Sequence, residues 1–362
     1  MPASLNPKLE MVAFDAFPLC EPVSKRAYTC LRLRTRSGGA GYGECSRISP
    51  ADLAAVRGAI QGKEASSFES IRRGLTASPA ALAGLDMAML DLVGKFTNAP
   101  VYQVVGGPTR NQARALARIE GNTDEAIISA VAQAHGAGHR AFLIPVPLTH
   151  SPNHSATLVN ATQRRLDRVR AAAGSGCDFA LDAAGRLTPG DASTLAAAFE
   201  RFHLLWFDEP CHPSNLSAAY RIASENVTPI GFGRLAGEPA VFQEMLRSDA
   251  IDVIRPDVAR HGISESRRIA ALAETYYVAA APFHDGGPIA TAAALNLAAS
   301  LPNFFIQQVP YPADAEDRRM RARIAGEAIE RVKDGFLQLP RGPGLGITVD
   351  EAAFAEFRER EA

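Results

Sequence analysis

Residues 178–210, DFALDAAGRLTPGDASTLAAAFERFHLLWFDEP, hold two short apolar runs that each end in carboxylates, with an Ala-rich segment between them. DFALDAA (178–184) and LLWFDEP (204–210) have the length and residue types of strands. TPGDASTLAAAFERF has a Thr-Pro start and helical spacing. Strand, helix and strand within about 30 residues is the building unit of a parallel sheet.

Working outward, the same unit recurs. Further runs lie at ARALARI (113–119), RAFLIPV (140–146), TPIGFGR (228–234), AIDVIRPD (250–257), YYVAAAPFH (276–284) and FFIQQV (304–309). Helical patterns such as DEAIISAVAQAHGAG and SESRRIAALAETY separate them. Eight strand-like runs in about 200 residues predict a parallel α/β barrel. An open doubly wound sheet calls for a Gly-rich phosphate turn after its first strand, and IEGNTD is not one. Residues 1 to about 112 read differently. AYTCLRLRTRSGGAGYGECS alternates Leu31 and Leu33 with Cys30, Arg32 and Arg34 and breaks at Gly38-Gly39, as an antiparallel hairpin does, and ALAGLDMAMLDLVGKF is a helix suited to cover it. The Gly-rich segment from about residue 343 is expected to return to this N-terminal unit.

Composition narrows the partners. Lys and Arg number 38 against 39 Asp and Glu, net charge −1, and no basic run is interleaved with aromatics, so nucleic acid is not an expected partner. Five scattered cysteines without CxxC spacing argue against a disulfide framework or a structural zinc. His135, His139, His150, His154, His203 and His212 have no HExxH spacing either. No apolar run approaches the roughly 18 residues of a membrane span, and the N-terminus lacks a signal pattern, so a cytoplasmic location without membrane association is expected. The apolar Ala-rich helices suit a homo-oligomer.

In a barrel, side chains at the C-terminal ends of the strands converge on one mouth. Those ends carry Asp182, Asp208 and Glu209, Arg234, Asp257, His284 and Asp285, and Gln307 and Gln308. Such acids bind a hard cation, act as acid and base by separating each other's pKa values, or cap the helices that follow. Asp257 and His284, on neighbouring strands, suggest a carboxylate–imidazole pair, catalytic or structural. Trp206 reads as core.

These residues fall into a known order. The chain resembles the enolase superfamily, in its mandelate racemase and muconate lactonizing enzyme branch, over nearly its whole length. GGAGYGE is similar to that family's G-x-x-G-x-G-E hairpin, and ALAGLDMAMLDLVGK to its A-x-x-x-x-D-x-A-x-x-D-x-x-G-K helix. LDAAG, WFDEP, GFGR, IRPDVARHGISES, APFHDGGPI and GPGLGITVDE fall where it has its strand-end and C-terminal elements. The resemblance implies an α/β fold: a modified (β/α)7β barrel over residues 113–342, under an α+β capping domain of residues 1–112 and 343–362. It also implies a carboxylate substrate held on Mg²⁺, with a base removing the proton α to the carboxylate.

The departures matter equally. The three metal ligands fall on Asp182, Asp208 and Arg234, and a guanidinium does not ligate a metal. Pro145 and Pro147 occupy the stretch where the second-strand lysines belong, the family histidine aligns with Phe283, one before His284, and the eighth-strand glutamate is Gln308. The expectation is a lyase resembling sugar-acid dehydratases, acting on a small polyhydroxy acid, with Asp257 and His284 catalytic, the imidazole facing the mouth. Arg234, Asp285, Gln308, Lys25 and Arg26 are expected to bind substrate, and Asp182 and Asp208 to be what remains of a metal site, with Mg²⁺ bound weakly or not at all. The alternative is a non-catalytic or metal-independent relative that binds a carboxylate through Arg234.

Overall fold

The Gly38-Gly39 break joins two antiparallel strands. In the computed structural model, which describes residues 6–147, 154–236 and 238–359, β1 (Met11–Cys20), β2 (Ala27–Thr35) and β3 (Ala40–Cys45) form a sheet in that order. His150 and residues 1–5 and 360–362 of the expected capping unit lie outside the described residues. Alternation along β2 serves two cores. Leu31 and Leu33 pack under α1 (Pro50–Ile60), α2 (Phe68–Gly74) and α3 (Pro79–Thr97), whereas Tyr28 and Cys30 join the cluster on the barrel side. Gly43 is dictated by this packing, because a Cβ there would stand 2.1 Å from the Gly84 carbonyl of α3.

After the short α4 (Val101–Val104), strands and helices alternate: β4 (Gln112–Arg118), α5 (Asp124–Gly136), β5 (Ala141–Pro145), α6 (Ser155–Ala173), β6 (Asp178–Asp182), α7 (Pro189–Phe199), β7 (Phe207–Asp208), α8 (Leu216–Glu225) and β8 (Ile230–Phe232). The series continues through α9 (Pro239–Arg247), β9 (Val253–Ile254), α10 (Val258–Glu274), β10 (Ala279–Ala280), α11 (Pro288–Ser300), β11 (Gln307–Val309) and α12 (Ala315–Ala325). Strands β4 to β10 pair in sequence order, all parallel; β11 pairs with β4, and a bridge between Ala280 and Phe304 sets its lead-in beside β10. The architecture is thus a capping unit on a parallel α/β barrel. The sequence reading lacked one element: β12 (Val332–Lys333) and β13 (Phe336–Gln338) add an antiparallel hairpin to β4. Its turn, Asp334-Gly335 with both φ positive, is a hairpin dipeptide.

Buried acids fasten the cap to the barrel. Asp86 of α3 accepts from the Ile263 and Ser264 amides of α10 at 2.7 and 2.9 Å, and Glu44 of β3 accepts from the Gly287, Ile289 and Ala290 amides at the start of α11. Gly262 is required beside Asp86, with φ +67° and space for no Cβ. The C-terminal segment lies against the cap: Leu345 N–H donates to Asp91, and Phe354 of α13 (Glu351–Glu356) stacks on Phe17.

Candidate active site

Strand register decides which side chains reach the mouth. Leu116, Leu143, Ala180, Trp206, Val253, Ala281 and Ile306 form one apolar cluster inside the barrel. Since side chains alternate along a strand, the residues two positions later also face inward. These are Arg118, Pro145, Asp182, Asp208, Arg255, Phe283 and Gln308. The mouth therefore contains two arginines, Arg118 and Arg255, that the sequence reading passed over inside apolar runs.

They are tied into one network. Arg255, fully buried, donates to Asp208 and Gln308, and Trp206 Nε1 donates to the other Asp208 oxygen at 2.7 Å. The Gln308 amide lies 3.4 Å from Asp285, which pairs with Arg118 at 3.1 Å. Arg234 leaves the strand at Gly233, whose φ of +131° turns the backbone, and its guanidinium stands 2.9 Å from Asp182 and 3.2 Å from Asp208. Glu209 accepts from the Gly233, Arg234 and Leu235 amides, while its other oxygen is buried with no partner among the described residues.

Electrostatics follows from this packing. Burial and the neighbouring Asp208 raise the Asp182 carboxyl against the pull of Arg234, and the same two causes push Glu209 up to about 8. Burial also pushes half-buried Asp257 up to about 7, helped by the negative Asp285 and opposed by the Ala259 amide, whose hydrogen bond makes Asp257 the N-cap of α10. Burial works in the same direction at Asp285, but Arg118, Arg234 and Arg26 outweigh it and hold that carboxyl below the ordinary range.

The expected Asp257–His284 pair does not form, and His284 does not face the mouth. Asp257 bridges Phe283 on the adjacent strand end, which puts those two side chains on one side and His284 on the other. The Phe283 ring lies 5.5 Å from the Arg255 guanidinium and 5.9 Å from that of Arg234. His284 is fully buried, with Nε2 3.3 Å from Thr291 Oγ1 of α11; burial and nearby Arg321 push its pKa down to about 3.

A cavity of about 230 Å³ opens between the mouth and the cap loop, lined by Ser24, Arg26, Arg118, Glu120, Asp285 and Tyr311. Lys25 turns away, its ammonium donating to the Pro22 carbonyl at 2.6 Å. One buried Arg26 amino group has no partner among the described residues.

The two carboxylates do not suit a divalent cation. Asp182 accepts from the Ala184 amide and Arg234, and Asp208 from Trp206 and Arg255, so all four oxygens already face a donor. A cation added there would meet two fixed positive charges and lack its third carboxylate. Among the described residues no group of three or more His, Cys, Asp or Glu is placed to hold a metal ion.

Comparison with known proteins fits this architecture. Residues 18–106 match the N-terminal domain of mandelate racemase and muconate lactonizing enzyme, and residues 119–353 match the enolase C-terminal domain-like family. The chain belongs to the enolase superfamily, in its mandelate racemase and muconate lactonizing enzyme branch. Within that superfamily it is similar to D-galactonate dehydratase of Ralstonia nicotianae, 31% identical over 78% of this chain and 74% of that protein. A mandelate racemase/muconate lactonizing enzyme of Sulfitobacter superposes with a TM-score of 0.85 at 25% identity, covering 98% and 96% of the two chains. The 3,6-anhydro-D-galactonate cycloisomerase of Zobellia galactanivorans shares the fold, with a TM-score of 0.84 at 22% identity over 97% of this chain and all of that one. No described helix is long and apolar enough to cross a membrane.

Proposed function

We propose that this member of the superfamily is a metal-independent lyase of the sugar-acid dehydratase kind, acting on a small polyhydroxy carboxylate. The observation that carries the reading is Arg234, whose guanidinium is held at the mouth between Asp182 and Asp208. A planar cation held at a water-poor mouth binds a carboxylate and offsets the charge that grows on it when the α-proton leaves. Asp257 takes that proton. With His284 turned away, the same carboxyl returns the proton to the departing β-hydroxyl, giving an enol that becomes a 2-keto acid. The similarity to D-galactonate dehydratase supports the substrate class.

A second reading, a carboxylate-binding relative without catalysis, is favoured by the same network, in which protein donors already satisfy Asp182 and Asp208. One experiment separates them. Chelator-treated protein is incubated with aldonic and aldaric acids in D₂O and followed for 2-keto product and α-proton exchange. Exchange that Asp257→Asn abolishes supports the lyase; acids that bind without exchange support the second reading.

A further inference from the structure

The cap loop of residues 21–26 reaches over the cavity, and two side chains of barrel helix α12 hold it there. Asp317, 1% exposed, accepts from the Val23 amide through Oδ1 at 2.8 Å and from the Ser24 amide through Oδ2 at 2.9 Å. One helical turn later, buried Arg321 pairs with Glu21 at 2.6 Å, and Glu21 in turn accepts from Ser24 Oγ at 2.7 Å. The loop closes on itself through the Glu21 amide and the Arg26 carbonyl, 2.9 Å, with Lys25 at a positive φ of 59°. A six-residue strap whose Val23, Ser24 and Lys25 are exposed is thus fixed through its backbone amides, and Arg26, at its end, lines the cavity with one buried amino group unpartnered among the described residues.

We propose that Asp317 is a positioning residue that latches this strap closed, so that Arg26 stands ready for the substrate's carboxylate or hydroxyl groups. The role rests on the reading of the cavity as the substrate site; the latch itself does not. Hydrogen bonds to a carboxylate are among the stronger ones, and losing a pair of them opens the strap.

Lys25 and Arg26 make the strap its own reporter, because trypsin cleaves after either once the loop opens. Limited trypsinolysis of the full chain, with fragments assigned by mass, is run on Asp317→Ala and on the milder Asp317→Asn, which keeps one acceptor should the alanine variant fail to fold. Cleavage after Lys25 or Arg26 is expected to accelerate at least about tenfold in Asp317→Ala, equivalent to about 1.4 kcal/mol. Asp317→Asn is expected to be intermediate, and other tryptic sites and the unfolding midpoint to stay close to those of the parent. KM for the acid turned over is expected to rise by a similar factor, with kcat within about twofold, since the strap binds without taking part in proton transfer. Unchanged cleavage at 25 and 26 in both variants would overturn the latch. Faster cleavage with KM unmoved would overturn its positioning role. Faster cleavage in a protein that turns over none of the acids would sink the catalytic reading and leave the latch standing.

Discussion

Phe283 and His284 are consecutive, yet they serve opposite sides of the seventh barrel strand: Phe283 covers the arginines of the mouth, and His284 lies against Thr291 of the outer helix α11. Thr291 in turn donates to Glu330, which Arg321 holds, so the imidazole belongs to the packing between barrel and cap. On the proposed reading, proton chemistry in the mouth then falls to Asp257.

A base with a carboxyl near 7 must lose its proton before it can accept another. We expect kcat/KM to rise with pH through about 7 and level off above it, as Asp257 ionises. Asp257→Asn should lower turnover by about 10²–10⁴-fold, the usual weight of a general base, whereas His284→Asn should keep the same pH midpoint. Initial rates between pH 5 and 9 check both, and a midpoint that moves in His284→Asn would return the histidine to the mechanism.

Arg234 makes a second expectation specific. Titration calorimetry of chelator-treated protein with Mg²⁺ should show no micromolar binding, because the guanidinium neutralises the carboxylates that would attract the ion. Arg234→Glu restores a third carboxylate and should gain binding, limited by Arg255, which still occupies Asp208. Heat of micromolar affinity in the unmodified protein would contradict this account of the site.

How much of this was legible follows from the same residues. Alternating strands and helices and the Gly38-Gly39 break are local signals, and they led to the right architecture. Asp182, Asp208 and Arg234 were recognisable as neighbours because each ends its run. Arg118 and Arg255 were not, because a short apolar run does not reveal which of its two alternating faces points inward. That parity is set by the interior cluster of Leu116, Ala180, Trp206 and Val253, a tertiary fact. The same missing parity misplaced His284. Counting two residues on from each interior apolar position, with Trp206 as the marker, would have found both arginines.

Arg255 tests how much the network matters for stability. Arg255→Met leaves Asp208 with Trp206 and an ion pair at 3.2 Å, and should cost about 3 kcal/mol, at the low end for breaking a buried pair. Asp208→Leu combined with Arg255→Met should cost less than the two single changes summed, by about 1 kcal/mol or more, since each single change leaves a buried charge short of one partner and the double removes both charges. Urea midpoints of the four proteins decide, and strict additivity would mean that the two side chains do not share their burial cost.

The last expectation concerns pH and global stability. Burial pushes several carboxyls up in the folded chain, among them Glu209 to about 8, Asp257 and Glu44 to about 7, and Asp86 to about 6. Each binds a proton in the folded state at a pH where the unfolded chain does not, so lowering the pH from about 8.5 to about 6.5 should raise stability. Below about 6.5 the sign is contested. Burial depresses His139 and His261 to about 4 and His284 to about 3, and unfolding then takes up protons that the folded imidazoles refuse. The acids still gain while the histidines lose, so the climb should flatten between pH 6.5 and about 5. Urea midpoints measured across pH 5 to 9 should therefore rise on acidification and then level. A midpoint that instead stays flat from pH 6.5 to 8.5 would mean that these carboxyls are ionised in the fold, with Asp86 and Glu44 holding their helix ends as full negative charges.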